Sequence, residues 1–222
     1  MTSFQRARTA DQRAIRTSEI LAAARSLLDE GALDEVTLNA IARTAGLAAS
    51  NVLRYFDSRE AVLLQLVVEE TELWLDDLGE QHVEAPWDVE VRCRDVARAV
   101  AGALDRHPRF CELISVQAVV LERRISDETA VRFKSVSLAQ LRRLSEWLAA
   151  ALPEIGEAND PAVLRLAARS ILVAGALWAQ SRPSASLTAQ LAEHPELTPL
   201  GQPFPDGVRE TLGLLFRGAS IA

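Results

Sequence analysis

Apolar residues recur at spacings of three and four along almost the whole chain, and no long alternating run of apolar and polar residues is present. This periodicity predicts an all-helical protein. An arm of residues 1–12 is expected to be flexible and basic. Four helices are predicted after it, over residues 13–30, 37–45, 49–56 and 57–78.

The boundaries of these first helices carry recognisable signals. Thr37 is the expected N-cap of the second helix, and Gly46 is expected to end it in the left-handed conformation. The fourth helix begins at Asp57-Ser58-Arg59-Glu60, where either Asp57 or Ser58 can serve as the N-cap. The first sixty residues are therefore predicted as a separate head, residues 1–60, followed by a body of residues 61–222.

The body is predicted to contain five further long helices, near residues 88–105, 109–123, 127–152, 160–182 and 206–217. Five prolines between residues 183 and 205 exclude a continuous helix there. This segment is predicted as a long loop with one helical turn around residues 187–192.

The distribution of charge changes how the net charge of −7 is interpreted. Residues 1–60 contain eight Arg and eight acidic residues, so the whole negative excess lies in the remaining 162 residues. Residues 1–25 alone carry five Arg against two acidic residues. A neutral head with a basic start is compatible with a nucleic-acid partner, because the local charge faces the phosphates.

Candidate catalytic and metal-binding chemistry is sparse. Cys93 and Cys111 are the only cysteines, and the three His residues lie far apart without metal-ligand spacing. Nucleophile-elbow, phosphate-loop and paired-carboxylate motifs are not found. Charged residues interrupt every apolar stretch before about 18 residues, and the N-terminus lacks the apolar core of a signal peptide. We therefore expect a cytoplasmic protein that is not an enzyme, with no metal, no cofactor and no membrane partner.

Residues 36–63 are the most informative stretch. A helix-turn-helix motif needs two short helices held at a fixed angle by a short turn. Ala42, Ala45 and Gly46 are small where the two helices would approach, and Leu47 and Val52 are apolar where a core between them is needed. The second helix of such a pair lies in the major groove of DNA.

The outward positions of that second helix have side chains that suit DNA. Asn can pair with adenine, and Arg can pair with guanine or bind a phosphate. The hydroxyl and N–H groups at Thr37 can meet a phosphate, and Arg59 is expected to do the same. The predicted DNA contacts are Thr37, Ala48, Ala49, Ser50, Asn51, Arg54, Tyr55 and Arg59.

Some alternatives stay open at these positions. Arg54 could instead pair with Asp57 three residues later, and Tyr55 could be a partly buried aromatic residue. The arginines of the arm, Arg6 and Arg8, either reach DNA or belong to a solvated tail. The expected packing residues of the third helix are Val52, Leu53 and Phe56.

The pattern resembles the DNA-binding domain of the TetR family of bacterial transcriptional regulators over about residues 13–68. The matching residues are Ile20, Leu21, Ala23, Ala24, Thr37, Ile41, Ala42, Ala45, Gly46, Tyr55, Phe56, Ser58, Arg59 and Glu60. Two positions depart from the family pattern: Ala48 stands where Ser or Thr is usual, and Leu53 where Tyr is usual. The resemblance thus implies that specificity depends chiefly on Asn51 and Arg54, with DNA shape as a supplement.

The resemblance also implies that the body dimerises through its last long helices. Residues 161–179 agree, because they contain two charges and are apolar almost all round. The candidate interface residues are Leu164, Ala168, Ile171, Leu172, Gly175, Leu212 and Phe216. The alternative is that this helix is only the core of one protomer.

Family members hold an effector in a cavity lined by the fourth to seventh helices. The candidate pocket residues here are Trp74, Phe110, Leu113, Ile114, Gln117 and Trp147, with plain core packing as the alternative. Together these features predict a ligand-responsive repressor that binds a palindromic operator as a homodimer and is released by an unidentified small-molecule effector. The rival hypotheses are a helical scaffold whose head binds protein and, more remotely, a helical enzyme that modifies small molecules.

Overall fold

The computed structural model describes residues 3–83, 87–117, 120–183, 185–194 and 202–221, with side chains from residue 11 onwards except at residue 185. Ten α-helices run through these ranges: α1 (Ser3–Glu30), α2 (Leu38–Thr44), α3 (Ala49–Val52), α4 (Arg59–Gly79), α5 (Val89–Asp105), α6 (Pro108–Gln117), α7 (Asp127–Ala151), α8 (Pro161–Ser181), α9 (Ala185–Ala192) and α10 (Phe204–Ser220). Short 3-10 turns lie at Leu33–Glu35, Leu121–Arg123 and Pro153–Ile155. The described residues contain no strand, which confirms the prediction of an all-helical fold.

The first helix is longer than predicted. Residues 3–12, expected as a flexible arm, form the first turns of α1. This segment contains neither Gly nor Pro, and its Ala, Arg and Gln residues favour the helix. Arg6 and Arg8 belong to these turns, but their side chains lie outside the described part of the chain.

Other boundaries differ by smaller amounts. The third helix ends at Val52 and continues only as a turn, and the predicted helix 109–123 is divided into α6 and the 3-10 turn Leu121–Arg123. The single turn expected around residues 187–192 is α9, which fits between two prolines of the proline-rich segment.

Contacts divide the chain into two compact units. The first comprises Met1–Glu69 and Gln117–Lys134, and the second comprises Glu70–Val116 and Ser135–Ala222. The first unit extends nine residues beyond the predicted head and includes a segment far away in sequence. The domain boundary at residue 60 stays a prediction.

The core of the first unit joins α1, α2, α3 and α4. Ile20, Ile41, Val52 and Leu63 are fully buried, which is the outcome that the three-and-four spacing of apolar residues predicts. At about 1.5–3 kcal/mol for each large buried apolar side chain, these residues hold short helices that could not persist alone.

The second unit is built around α5 and α10, which are antiparallel neighbours. Arg217 near the end of α10 lies 3.6 Å from Glu90 at the start of α5, and Cys93 Sγ lies 3.6 Å from Ser220 Oγ. A buried arginine, Arg92, pairs with Glu154 and so ties α5 to the third 3-10 turn.

Helix α8 is apolar enough and long enough to cross a membrane by length and composition alone. The core helix of a soluble protein satisfies the same criterion. Here α8 carries Arg165 and Arg169, and it packs against α10 through residues that are buried in the second unit. We therefore interpret it as a helix of the bundle.

We expect Gly175→Ala in α8 to destabilise the protein by about 1–3 kcal/mol, because the side chain would overpack the core. A Cβ at this position would lie 3.0 Å from the Ile114 carbonyl oxygen and 3.3 Å from Ser115 Cα. The control is Gly218→Ala, where a Cβ meets nothing within 4 Å. Chemical denaturation followed by circular dichroism measures both, and equal stabilities would contradict the close approach of α8 and α6.

Candidate DNA-binding surface

The turn between α2 and α3 is fixed by backbone hydrogen bonds. Gly46 has φ of +67°, the left-handed conformation that glycine adopts without strain. Gly46 N–H donates to Arg43 O at 3.1 Å, and Leu47 N–H donates to Ala42 O at 2.8 Å. These two bonds form a Schellman motif, which satisfies the last carbonyls of α2 and turns the chain sharply into α3. The ending predicted at Gly46 is confirmed.

The start of α2 is capped as predicted. Thr37 has an extended backbone, and its Oγ1 accepts a hydrogen bond from Ala40 N–H at 3.1 Å. The Thr37 hydroxyl proton remains available for another acceptor, because a hydroxyl both donates and accepts.

The outward side of α3 and the residues directly before and after this helix contain most of the predicted DNA contacts. Val52 is fully buried and holds the helix against the core. The exposed predicted contacts are Thr37, Ala48, Ser50, Asn51 and Arg54, and the half-buried ones are Ala49, Tyr55 and Arg59.

Two exposed polar side chains of this surface have no bonding partner among the described residues. Within the described residues, neither Asn51 nor Arg54 forms a side-chain hydrogen bond or an ion pair. The alternative that Asp57 pairs with Arg54 is not what the structure has, because Asp57 binds other groups. The Asn51 amide and the Arg54 guanidinium are therefore free to meet a ligand.

Leu53 departs from the expectation that it would pack in the core. Its side chain is 48% exposed beside Asn51 and Arg54. Its backbone N–H donates to Ala49 O at 3.1 Å, so it completes the last turn of α3. Val52 alone of the two adjacent apolar residues points into the core, because neighbouring helical positions face about 100° apart.

Tyr55 is held from α1, which the sequence did not indicate. The guanidinium carbon of Arg13 lies 5.7 Å from the centroid of the Tyr55 ring, within the range of a cation–π contact. Half-buried Tyr55 is thus a partly packed aromatic residue whose ring is oriented by a basic residue of α1.

Arg59 faces the protein. Its Nη2 donates to the carbonyl oxygen of Leu33 at 2.6 Å, and its Nε donates to the carbonyl oxygen of Val36. Its Nη1 lies 3.4 Å from Glu60 Oε1. These bonds attach the start of α4 to the segment that leads into α2, so the geometry favours a positioning role for Arg59 over the predicted phosphate contact.

Asp57 has a structural role that the sequence analysis did not predict. Its Oδ2 accepts hydrogen bonds from Ser126 N–H and from Thr129 Oγ1, both at 3.1 Å. Ser58, and not Asp57, caps α4, because Ser58 Oγ accepts from Ala61 N–H at 3.0 Å. The partners of Asp57 are about seventy residues away, so no local pattern could have revealed them.

The predicted pocket residues divide between the two units. Gln117 belongs to the first unit, where its amide donates to Glu122 at 3.0 Å. In the second unit, Trp74 and Phe110 are buried and stack with ring centroids 5.1 Å apart. Leu113 is fully buried, and Ile114 and Trp147 pack partly buried against the same core.

One polar atom of this aromatic pair is unusual. The Trp74 side chain is 1% exposed, and its indole Nε1 has no hydrogen-bond partner among the described residues. Leaving a buried donor unpaired costs about 1–3 kcal/mol, so this N–H group marks a place where an acceptor would be favourable.

The predicted dimer residues also need a correction. Gly175 is buried against α6, and Leu212 and Phe216 are fully buried against the core of the second unit. These three residues pack within one protomer. Their apolar character reflects that packing, so they offer no surface to a partner. The other four, Leu164, Ala168, Ile171 and Leu172, are partly or largely exposed on α8.

The described residues contain no group of three or more His, Cys, Asp or Glu side chains that could hold a metal ion. Burial raises the pKa of the Cys111 thiol to about 12, which keeps this thiol neutral. Neither observation identifies a site for chemistry.

The protein is all-helical, its helices α2 and α3 are joined by a tight turn at Gly46, and α3 exposes polar side chains. These features define the helix-turn-helix class. A profile described as "Bacterial regulatory proteins, tetR family" matches residues 20–66. A second one, described as "Tetracyclin repressor-like, C-terminal domain", matches residues 68–222. The chain belongs to the TetR family and is a transcriptional regulator with a helix-turn-helix DNA-binding domain. No curated protein matches it.

Solved structures show the same fold. The fatty acid degradation regulator FadR from Bacillus halodurans is 20% identical, with a TM-score of 0.50 over 88% of this chain and 97% of the other. The TetR family regulator PfmR from Thermus thermophilus is 15% identical, with a TM-score of 0.51 over 89% and 97%. A possible TetR family regulator from Streptomyces coelicolor is 21% identical, with a TM-score of 0.51 over 93% and 97%. At these identities the likeness shows the fold alone.

The bonds of Asp57 give a test of how the first unit is held together. Burial by itself raises the pKa of the Asp57 carboxyl, but the hydrogen bonds from Ser126 and Thr129 outweigh it and lower the pKa. The folded state therefore gains stability above the unfolded pKa of about 4 and loses it as the pH falls through the lower folded value.

We expect Asp57→Ala to cost about 1 kcal/mol of unfolding free energy at neutral pH, since the carboxylate is largely exposed. The difference from the wild type should shrink as the pH is lowered towards 3. Exposed Asp11 on α1, changed to Ala, is the control and should have little effect. A cost that stays constant with pH would contradict a role for the charged carboxylate.

Proposed function

We propose that this regulator is a ligand-responsive repressor that binds a palindromic operator as a homodimer. The observation that carries the DNA-binding part is the outward side of α3 and the turn after it, where Asn51 and Arg54 are exposed and have no partner within the described part of the chain. An unpaired guanidinium and amide on a helix that fits the major groove are suited to read base edges. As a regulator acting on bacterial DNA, the protein would work in the cytoplasm.

The surrounding residues would have supporting roles. The Thr37 hydroxyl can donate to a phosphate while its oxygen caps α2. Ala48, Ala49 and Ser50 are small, which lets the backbone of α3 approach the floor of the groove. Tyr55, oriented by Arg13, can donate its phenol to the DNA backbone. Through its hydrogen bonds to backbone carbonyl oxygens, Arg59 would fix the start of α4 to the segment before α2 instead of binding DNA directly.

We expect Arg54→Ala to weaken binding to the DNA that flanks the gene by about 5-fold to 150-fold, the loss of one good base contact of about 1–3 kcal/mol. Asn51→Ala should relax base preference at one position. Binding should weaken steeply with added salt, because phosphate contacts release counterions. Fluorescence anisotropy with labelled duplexes measures all three effects.

The matched control is Arg94→Ala on α5. Arg94 is exposed and, within the described residues, has no ion pair, so this substitution makes the same change in net charge away from α3. Equal losses from both substitutions would show that charge alone matters. A folded dimer that binds no flanking DNA at low salt would overturn the proposed function and favour the scaffold alternative.

The homodimer is proposed from the exposed side of α8. Leu172 is 62% exposed, and the partly exposed residues Leu164, Ala168 and Ile171 lie on the same helix, of which less than half is buried. So much apolar surface on a long helix is favourable only when another apolar surface covers it. A second copy of α8 would supply that cover, and two-fold symmetry would place two α3 helices about 34–36 Å apart on DNA.

We expect Leu172→Asp to dissociate the dimer at micromolar concentration, because the carboxylate would be buried without a partner. Leu73 on α4 is similarly exposed, at 49%, and Leu73→Asp is the control. Sedimentation velocity distinguishes the two association states. An unchanged dimer in the Leu172 variant would place the interface elsewhere.

The effector site is proposed around the stacked pair of Trp74 and Phe110. The unpaired Trp74 N–H group would donate to an acceptor on the effector, and Phe110 would give a flat apolar wall. Leu113, Ile114 and Trp147, which belong to the same unit, would complete the apolar lining. Such a ligand would release DNA only if it binds the released state more tightly than the bound state.

A further inference from the structure

The exposed Leu53 side chain is the feature of the DNA-facing surface that the proposed function leaves unexplained. A leucine that stays 48% exposed forgoes part of the gain that burial would bring. Its neighbours in the chain, Asn51 and Arg54, are polar and exposed as well. About half of its surface is therefore left uncovered by the described part of the first unit.

Leu53 also has a fixed place in α3. Its N–H donates to Ala49 O, so Leu53 lies one helical turn beyond Ala49 on the same side of the helix. Ala48, immediately before this turn, is exposed and apolar as well. Ala49 and Leu53 together form an apolar strip on one side of α3, in a segment whose other exposed side chains include the polar residues Ser50, Asn51 and Arg54.

The major groove of DNA offers one apolar group to such a strip, the C5-methyl group of thymine. An apolar side chain cannot form a hydrogen bond with the phosphates or sugars of DNA, so contact with the DNA backbone would add little binding free energy for Leu53. A thymine methyl group, in contrast, loses its contact with water when Leu53 covers it.

We propose that Leu53, supported by Ala49, is a specificity-determining residue that recognises a thymine methyl group in each operator half-site. The thymine lies next to the bases that Asn51 and Arg54 contact. This inference rests on the proposed operator binding and adds the class of base that the apolar strip selects.

The test replaces each thymine of the bound duplex, one at a time, by deoxyuridine. This change removes the methyl group and keeps every hydrogen-bonding atom of the base. For the wild-type protein, one thymine per half-site should weaken binding about fourfold, the equivalent of about 0.8 kcal/mol for one buried methyl group. The other thymines should change binding less than twofold.

The Leu53→Ala variant should bind the thymine duplex more weakly and should lose the sensitivity at that position. Leu73→Ala, which removes an exposed leucine far from α3 in sequence, should keep the sensitivity of the wild type. Thermal unfolding of each variant verifies that the fold is unchanged, as expected for exposed side chains.

The two proposals fail in different ways. If the protein binds a specific duplex but no deoxyuridine substitution matters, or if the sensitivity persists in Leu53→Ala, methyl recognition by Leu53 is overturned while operator binding stands. If no duplex binds specifically, operator binding itself is overturned.

Discussion

The left-handed turn at Gly46 is the constraint on which the DNA-binding surface depends. α3 has four residues, far fewer than an isolated helix needs to persist in water. Its orientation therefore comes from outside, from the two Schellman hydrogen bonds at one end and from buried Val52. Any other residue at position 46 would pay for a positive φ, and the outward side chains of α3 would shift with the turn.

Two charged residues secure the segment that follows. Arg59 donates to backbone carbonyls before α2, and Asp57 accepts from the beginning of α7. Both use their charge for bonds inside the first unit. Among the described residues, Arg54 directly after α3 stays exposed and forms no side-chain hydrogen bond or ion pair. In the proposed complex, Arg54 would supply charge and the exposed polar side chains of Thr37 and Asn51 would supply hydrogen bonds.

Local signals in the sequence were sufficient for the helix pair. The cap at Thr37, the stop at Gly46 and the spacing of Ile41 and Val52 each act within a few residues, and the structure confirms them. The bonds of Asp57 and the inward direction of Arg59 could not be predicted, because their partners lie between 23 and 72 residues away. Composition gave no guide either, since Arg at a helix start suits a phosphate and a carbonyl equally well.

The apolar helix α8 shows a second limit of sequence patterns. Gly175 and Leu172 were predicted for one surface, but Gly175 touches the backbone of α6 whereas Leu172 points outward. A helix that is apolar on all sides gives no periodic signal to separate the side that packs within a protomer from the side that meets a partner. The structure separates them by contact. Gly175 is needed where α8 and α6 approach to within van der Waals distance. Leu172 remains exposed to solvent and is available to pack against a partner. The same reasoning applies to α3, where Val52 packs in the core and Leu53 is the residue that we propose contacts DNA.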